Sequence, residues 1–280
     1  MSQSDRTDRT PRAHQLRTTL AERGYLVGFF QASGAAVNGE VLALTGADFN
    51  LIDLEHGAGS YASLLDELRA VEARRGVALV RVPVDERTPI GRALDLGAVG
   101  VMIPQVSSVD QARSAVANLT YPPEGRRGVT TAGRTYDFGL LRGELQDGEE
   151  DRPFCICQVE TRSAVAAADA IAATPGVDVL LIGPADLSSD LGVYGQLDHP
   201  DFVAACERVA AAASAHDVAA GIFCPDAEQQ EWFASLGFTV FIVGTDTRLL
   251  LDAGQQTIAR AHESVAKGLS NGPARPGMRT

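Results

Sequence analysis

The sequence predicts an α/β protein folded as a (β/α)8 barrel, the TIM-barrel architecture. Eight short runs rich in apolar residues alternate with amphipathic helical stretches, a pattern typical of parallel strands joined by crossover helices. The chain has 280 residues, which suits one such barrel with modest additions. Eight parallel strands favour closure, because an open sheet would leave two edges to protect. A doubly wound open sheet is the second choice.

The predicted strands are spaced through most of the chain. The stretches between them carry apolar residues three and four positions apart, as at Leu64, Leu68 and Val71, which indicates helices. The eight strands are predicted at residues 26–31, 49–55, 78–82, 100–105, 154–160, 178–182, 219–224 and 239–243.

A single barrel domain is predicted at residues 21–267, with a polar tail on each side. Residues 1–20 are polar and mixed in charge, and residues 268–280 are rich in Gly, Pro and Arg, so both tails are expected to be disordered. A polar segment at residues 121–152 is too long for an ordinary connector, and we interpret it as a lid or a subunit contact.

Composition indicates a cytoplasmic protein with neither a nucleic acid nor a membrane as its partner. The formal net charge of -12 argues against binding to nucleic acid or to an anionic membrane surface. No apolar run approaches the roughly 20 residues of a membrane span, and the N-terminus lacks the apolar region of a secretory signal. The four cysteines, two of them in one predicted strand, are expected to be buried free thiols.

Polar residues close several of the predicted strands, and this is the end of a β/α barrel that carries its chemistry. In the fifth strand, alternation places Gln158 and Glu160 on the side opposite Cys155 and Cys157. The polar residues at strand ends are Asp53, Glu55 and His56 after the second, Arg81 in the third, Gln158 and Glu160 in the fifth, and Asp186 after the sixth.

Glu160 and Asp186 are the predicted metal ligands. A buried carboxylate needs a cation, and two carboxylates on neighbouring strand ends match the oxygen ligands that Mg²⁺ or Mn²⁺ prefers. Mg²⁺ commonly takes one or two protein carboxylates and keeps water and substrate at its other positions. The residues alone leave open a second interpretation, in which Arg81 or Arg162 forms salt bridges with these carboxylates.

Three further side chains are candidates for proton transfer or charge stabilisation. Arg81 has apolar neighbours that imply burial, so it either neutralises a carboxylate such as Asp53 or stabilises a developing enolate. His56 is either structural or a general acid or base that a neighbouring carboxylate orients. Asp95 is a candidate for that neighbour, or it simply ends a helix.

Two glycine-containing turns add backbone groups at the same end of the barrel. The turn Gly183-Pro184-Ala185-Asp186 leaves the sixth strand, and its backbone N–H groups can form a small nest for a carboxylate. Most Gly-Pro turns bind nothing, so a plain turn is the alternative. Asp246, after the eighth strand, is interpreted in the same two ways, as part of a nest or as a helix N-cap.

Eight segments of the chain occur in the order and at the spacing of one known family. They are Ile52-Asp-Leu-Glu-His-Gly57, Arg81-Val-Pro83, Leu94-Asp-Leu-Gly-Ala98, Tyr121-Pro-Pro, Arg127-Gly-Val129, Gln158-Val-Glu-Thr161, Gly183-Pro-Ala-Asp-Leu-Ser188 and Val243-Gly-Thr-Asp246. This ordered set resembles the class II pyruvate aldolases, a group that includes 4-hydroxy-2-oxoheptanedioate aldolase and 2-dehydro-3-deoxyglucarate aldolase. The group is related to the citrate lyase β-subunit. The resemblance covers roughly residues 22–262.

The resemblance implies a phosphoenolpyruvate/pyruvate-type barrel that acts on a small 2-oxo acid. Such barrels usually form a homo-oligomer, a hexamer or trimer of dimers with exchanged C-terminal helices. The implied cofactor is Mg²⁺, Mn²⁺ or Co²⁺, held by Glu160 and Asp186. The implied reaction is reversible cleavage of a 4-hydroxy-2-oxo acid to pyruvate and an aldehyde.

The resemblance also implies roles for the other candidates. Arg81 stabilises the pyruvate enolate, Gln158 lies near the metal, and the backbone of Gly183, Pro184 and Ala185 receives the substrate carboxylate. His56, with Asp53 and Asp95, handles protons.

The sequence limits the competing functions without naming the aldehyde. Lys267 is the sole lysine and follows no predicted strand, so a Schiff base on a barrel lysine is excluded. A citryl- or malyl-type CoA-ester lyase needs a basic site for the CoA phosphates, and only Arg126 and Arg127 form a basic pair near the strand ends. The same fold also suits an oxaloacetate-type decarboxylase or a non-catalytic oligomeric barrel, because a fold does not determine a function.

Overall fold

The structure is a computed structural model that describes residues 12–140 and 152–271. Its eight strands are β1 (Leu26–Gln31), β2 (Phe49–Asp53), β3 (Ala78–Arg81), β4 (Gly100–Ile103), β5 (Phe154–Val159), β6 (Val179–Ile182), β7 (Ala219–Phe223) and β8 (Phe238–Thr245). Each strand pairs in parallel with the next along the chain, and β8 pairs with β1. The predicted β/α barrel is therefore confirmed, and the open sheet was the wrong alternative.

Helices connect the strands, and one precedes the barrel. The α-helices of the described residues are α1 (Arg12–Arg23), α2 (Ala36–Ala43), α3 (Tyr61–Ala73), α4 (Arg87–Asp95), α5 (Val109–Leu119), α6 (Arg162–Ala166), α7 (Ala168–Ala172), α8 (Pro184–Asp190), α9 (Pro200–Ala215), α10 (Ala227–Ser235) and α11 (Asp246–Asn271), and a 3₁₀ helix spans Arg134–Gly139. In α3, α5 and α6 the N-cap side chain of Ser60, Ser108 or Thr161 accepts a hydrogen bond from the first turn. These caps fix the point at which each strand-to-helix turn ends.

Several strands end one or two residues earlier than predicted, and in β2 a polar side chain turns the backbone. In β2, Oδ1 of Asp53 accepts hydrogen bonds from the backbone N–H groups of Glu55 and His56, at 3.0 and 3.2 Å. The chain therefore leaves the sheet at Asp53, two residues before the predicted end. The acidic and imidazole side chains that follow lie on a turn above the strand.

Two apolar layers fill the molecule, one inside the barrel and one between the barrel and its helices. Along β5, Phe154 and Ile156 pack in the inner layer, whereas Cys155 and Cys157 pack in the outer layer. The predicted alternation of this strand is thus correct. All four cysteines are buried and free, as expected.

The predicted N-terminal tail is wrong for residues 12–20, because these residues belong to α1. Leu16 is 1% exposed and packs with the inner layer, at the amino ends of the strands. Arg17 donates through Nε to Oδ1 of Asp178 at 2.8 Å, just before β6. Helix α1 therefore closes the bottom of the barrel; residues 1–11 lie outside the described residues.

The predicted C-terminal boundary also differs from the structure, because α11 continues through residues 268–271. Apolar residues such as Leu269 extend the helical pattern beyond the boundary placed at residue 267. Residues 272–280 are outside the described part of the chain. Among the helices that are described, none is long and apolar enough to cross a membrane.

The first part of the segment 121–152 packs on the barrel. Tyr121 and Tyr136 are buried, and Oγ1 of Thr135 donates to the backbone oxygen of Leu94 at 2.9 Å. Residues 121–140 therefore cover the end of α4. The remainder, residues 141–151, is outside the described residues, so a lid or a subunit contact stays a prediction.

Candidate active site

The candidate site is a cavity of about 300 Å³ at the carboxyl ends of the strands. It combines carboxylates, one arginine and two aromatic rings. Its lining residues are Phe30, Ala32, Asp53, His56, Arg81, Gln158, Glu160, Leu181, Gly183, Pro184, Ala185, Asp186, Phe223 and Thr245. The structure therefore brings together every predicted site residue except Asp95.

Arg81 is held by two carboxylates from β2 and the turn after it. Its Nε and Nη2 donate to the two carboxylate oxygens of Asp53, at 2.9 and 2.6 Å. Its Nη1 lies 3.1 Å from Oε2 of Glu55, and its guanidinium lies over the ring of Phe30, 4.6 Å from the centroid. A bidentate ion pair on an aromatic face fixes the orientation of the guanidinium, which a lysine could not reproduce.

The pKa values of the two acids that hold Arg81 are shifted in opposite directions. Burial alone would raise the pKa of Asp53, but the hydrogen bonds and charge of Arg81 outweigh burial and keep this pKa below its usual value. Burial raises the pKa of Glu55, and repulsion from Asp53 and Asp186 adds to this against the opposing charge of Arg81. Asp53 is therefore the permanent anionic partner of Arg81.

Glu160 is a buried carboxyl group directly after β5. Its Oε1 accepts a hydrogen bond from Nε2 of Gln158, and its Oε2 accepts one from the backbone N–H of Gln105 at 3.2 Å. Gly183 approaches so closely that an added Cβ would lie 2.4 Å from Oε1 of Glu160. A larger residue at position 183 would therefore displace the carboxyl group of Glu160.

The charges around Glu160 favour the binding of a cation. Burial raises the pKa of Glu160 to about 7, and the negative charges of Asp186 and Glu55 contribute to this rise. Oε1 of Gln158 is buried and has no hydrogen-bond partner among the described residues. Two carboxylates and a free amide oxygen are the hard oxygen donors that Mg²⁺ and Mn²⁺ take, so these residues fit such a metal.

Glu160 and Asp186 remain the two carboxylates that are expected to bind the metal. In the described residues, no group of three or more His, Cys, Asp and Glu side chains is arranged to hold a metal. A site of this kind leaves most coordination positions to water and substrate, as Mg²⁺ commonly does.

His56 reaches the pocket from an exposed position. Its side chain is 69% exposed, and its Nε2 lies 3.9 Å from Oε2 of Glu55. Its backbone N–H donates to Asp53, so the same aspartate positions both Arg81 and the turn that carries the histidine. The nearest carboxylate to the imidazole in the described chain is thus the adjacent Glu55.

Asp95 lies away from the pocket lining, at the end of α4. Its Oδ1 accepts a hydrogen bond from Nη2 of Arg127 at 2.9 Å, and the guanidinium lies over the ring of Tyr121. Within one chain the structure therefore pairs Asp95 with the segment 121–140 and does not bring it to His56. Its role in proton transfer stays a prediction.

The turn after β6 leads directly into α8. Gly183 is the N-cap, Pro184 and Ala185 begin the helix, and Asp186 lies in the first turn. Gly183, Pro184, Ala185 and Asp186 of this turn all line the cavity, and Pro184 has no backbone N–H to donate there.

The predicted site residues omitted one acid that holds Arg81 and five residues of the pocket lining, Phe30, Ala32, Leu181, Phe223 and Thr245. Glu55 holds Arg81, and Phe30 and Phe223 form an aromatic wall with ring centroids 5.9 Å apart. Glu55 and Asp53 are two residues apart at a strand end, which places both carboxylates at the cavity mouth and would have identified Glu55. Phe30 and Phe223 lie at or near the ends of apolar strands. The direction of their side chains, into the barrel, can be known only when the register of the strands is known.

A second, larger cavity of about 620 Å³ lies at the opposite end of the barrel. Its charged residues Arg17 and Arg152 both bind Asp178, at 2.8 and 2.9 Å. These groups satisfy one another, so the smaller cavity is the better candidate for chemistry.

An acidic cavity with a fixed arginine, at the carboxyl ends of the strands, is typical of a β/α-barrel enzyme. The family model described as HpcH/HpaI aldolase/citrate lyase matches residues 26–253, and the chain belongs to this family. The protein is therefore a lyase, and the resemblance inferred from the ordered segments is confirmed.

Individual relatives agree with this assignment. The chain is 33% identical to 5-keto-4-deoxy-D-glucarate aldolase of Shigella sonnei over 87% of this chain and 94% of the relative. A family member from Burkholderia cenocepacia J2315 is 35% identical, with a TM-score of 0.84 over 89% of this chain and 99% of that one. The citrate lyase β-subunit of M. tuberculosis, solved with oxaloacetate and magnesium, shares the fold at 19% identity, with a TM-score of 0.54 over 79% of this chain and 91% of that one.

Proposed function

We propose that this enzyme cleaves a 4-hydroxy-2-oxo acid reversibly to pyruvate and an aldehyde, with a divalent metal held by Glu160 and Asp186. The observation that supports this most directly is the excess of carboxylates around the cavity. Glu160, Asp186 and Glu55 act on one another, while Arg81 is bound to Asp53 and Glu55. A cation beside Glu160 relieves this repulsion and provides the positive charge that a 2-oxo acid needs.

Each donor near the proposed metal has a defined source. Glu160 and Asp186 follow adjacent strands, and Oε1 of Gln158 is a further neutral oxygen beside them. When bound, Mg²⁺, Mn²⁺ or Co²⁺ supplies Lewis-acid polarisation of the 2-oxo group.

Proton transfer starts the proposed cleavage. His56 accepts the proton of the substrate's 4-hydroxyl group, the bond between C3 and C4 breaks, and its electron pair forms the pyruvate enolate as the aldehyde leaves. The proton returns to C3 and yields pyruvate. The imidazole is 69% exposed, so it can pass the accepted proton to water and recover it.

Arg81 stabilises the enolate during this step. Its orientation is set before substrate arrives, because Asp53, Glu55 and the Phe30 ring restrict the guanidinium. Preorganised charge of this kind contributes about 10²–10³-fold to a rate. The backbone at Gly183, Pro184 and Ala185 is the proposed position of the substrate carboxylate.

Membership of the family supports a proposal for the substrate and for the assembly. The relative named 5-keto-4-deoxy-D-glucarate aldolase places hydroxylated 2-oxo acids first among candidate substrates. We also propose a cytoplasmic homo-oligomer, a hexamer as the resemblance implies. Large apolar side chains are exposed along α11, and such patches mark protein interfaces. They include Leu250, Ile258, Val265 and Leu269.

A panel assay tests the proposed activity. Pyruvate release is measured from several 4-hydroxy-2-oxo acids and from oxaloacetate, and acetyl-CoA release is measured from CoA esters, after chelation and again after addition of Mn²⁺. We expect aldol cleavage that is lost on chelation and restored by Mn²⁺. Full turnover after exhaustive chelation, or pyruvate from none of the hydroxy-oxo acids, contradicts the proposal; turnover of oxaloacetate or a CoA ester alone identifies a decarboxylase or a CoA-ester lyase instead.

A further inference from the structure

Glu67, in α3, is a fully buried carboxyl group outside the active-site cavity. Its exposed fraction is 0%, and that of Gln31, the last residue of β1, is 1%. Nε2 of Gln31 donates to Oε2 of Glu67 at 2.8 Å. The hydrogen bond thus joins the acid to a neutral amide, which does not offset the cost of burying a negative charge.

The hydrogen bonding of this pair is incomplete if Glu67 is ionised. Oε1 of Glu67 and Oε1 of Gln31 are both buried, and neither has a hydrogen-bond partner among the described residues. A carboxylate and an amide oxygen can only accept hydrogen bonds. A proton on Oε1 of Glu67 provides the missing donor, and an acid and an amide can then form two hydrogen bonds side by side.

The surroundings of Glu67 also disfavour its negative charge. Burial raises the pKa of Glu67, the nearby hydroxyl of Ser63 in α3 and the amide of Gln31 in β1 lower it, and repulsion from Asp246 raises it further. Asp246 begins α11 and is the charged group that faces the pair from another element. Its Oδ1 accepts a hydrogen bond from the backbone N–H of Ala32 at 2.9 Å.

The buried pair lies beneath two loops that line the active-site cavity. A Cβ on Gly59, in the β2–α3 loop, would lie 3.2 Å from Oε1 of Glu67. Gly34, in the β1–α2 loop, has φ +69 and packs so closely that its Cβ would lie 2.9 Å from Cα of Gly59. The loops are also joined by the backbone N–H of Ala58, which donates to the oxygen of Ala32 at 2.8 Å.

We propose that Glu67 carries a proton in the folded enzyme and acts as a positioning residue, holding through Gln31 the loops that present Ala32 and His56 to the cavity. An ionised Glu67 would repel Asp246 and leave two buried oxygens without a donor, and the loops above it would shift. The kinetic part of this inference rests on the proposed function; the protonation of Glu67 does not.

Protonation is tested by thermal unfolding from about pH 5 to pH 9 at one protein concentration. Since the pKa of Glu67 rises on folding, its stabilising contribution is complete below the ordinary value of about 4.3 and is lost as pH rises through the folded value. Glu67→Gln cannot ionise, so its Tm should rise relative to wild type as pH increases. Asp66→Asn, at a side chain 71% exposed, is the matched control and should show no such trend.

A Tm difference between Glu67→Gln and wild type that stays constant with pH overturns the protonation. A trend of equal size in Asp66→Asn overturns it as well.

Positioning is tested by the pH dependence of kcat. Glu67→Gln retains the shape of the side chain and a hydrogen-bond donor. We therefore expect its kcat to lie within about threefold of wild type near neutral pH. Because the glutamine cannot ionise, this position should cause no fall in kcat at high pH. Glu67→Ala should lower kcat by about tenfold or more with a smaller effect on KM, because small displacements of reacting groups are costly. Equal losses of kcat in both variants, or a wild-type kcat in Glu67→Ala, overturn the positioning role.

Two further results remain informative. If Glu67→Ala does not fold, the pH profile of Glu67→Gln decides the positioning role: a high-pH limb identical to wild type overturns it. If wild type cleaves none of the panel substrates, the proposed function fails, while the Tm experiment still decides whether Glu67 is protonated.

Discussion

The two ends of the barrel bury acidic groups in opposite ways. At the bottom, one carboxylate, Asp178, is bound by two arginines, Arg17 and Arg152. At the mouth, one arginine, Arg81, accompanies four carboxylates, those of Asp53, Glu55, Glu160 and Asp186. The bottom is neutralised by its own side chains and serves stability, whereas the mouth keeps an uncompensated negative charge that favours a cation. The same type of residue therefore has different consequences at the two ends.

Removal of a carboxylate at the mouth should have the largest effect on activity. Glu160→Gln should lower kcat/KM by about 10³-fold or more, because it removes several kcal/mol of metal-derived charge stabilisation. Its Tm without metal should be equal to or above that of wild type, since a buried, repelled carboxylate is lost. Steady-state kinetics and calorimetric titration with Mn²⁺ measure both effects. Unchanged Mn²⁺ affinity would contradict the ligand assignment.

Replacement of an arginine at each end should separate the two roles. Arg81→Lys keeps the charge but loses the bidentate geometry, and we expect kcat/KM to fall by about 10²-fold. Arg17→Lys, the matched change at the bottom, should lower Tm and leave kcat near wild type. Equal effects of the two changes on kcat would remove the distinction between the ends.

Added metal should stabilise the protein through the carboxylates at the mouth and not through the carboxylate at the bottom. Mn²⁺ at about 100 times its Kd should add about 2.7 kcal/mol to the free energy of unfolding of wild type. Asp186→Asn should abolish this gain, and Asp178→Asn should retain it. Differential scanning fluorimetry at fixed protein concentration follows the shift, and a full gain in Asp186→Asn would exclude that residue as a ligand.

Neutralising the bottom carboxylate should have the smallest effect, and on stability only. Asp178→Asn weakens charge-assisted hydrogen bonds to two arginines, so the free energy of unfolding should fall by about 1–3 kcal/mol. The kcat of the folded enzyme and its Mn²⁺ affinity should not change. A large loss of kcat without a loss of stability would show that the two ends are coupled.

The sequence alone predicted the barrel and most of the mouth because both depend on local patterns. Apolar runs fix the strands, and a polar residue at the end of a parallel strand must lie at the mouth, as Arg81 and Glu160 do. Helix α1 was missed because residues such as Arg17 and Thr18 look like a polar tail until Asp178 is placed beside them. The position of Asp95 depends on the fold of residues 121–140.

Buried polar pairs are harder to predict than strand ends. Glu67 lies in an amphipathic helix where a glutamate is ordinarily exposed, and its partner Gln31 is 36 residues away. The sequence marks neither residue, because the glycines that make room for them lie in two different loops. Such pairs become visible only when the register of the barrel is known.

The ion pair that closes the bottom of the barrel also constrains the order of events on the ribosome. Arg17 and Asp178 are 161 residues apart, so α1 is synthesised long before its acceptor exists. At about 5–20 residues per second, the helix waits about 8–30 s for that aspartate. During this interval its apolar side chains have no barrel to enter, and chaperones that cover exposed apolar surface are expected to act on this nascent chain before β6 is complete.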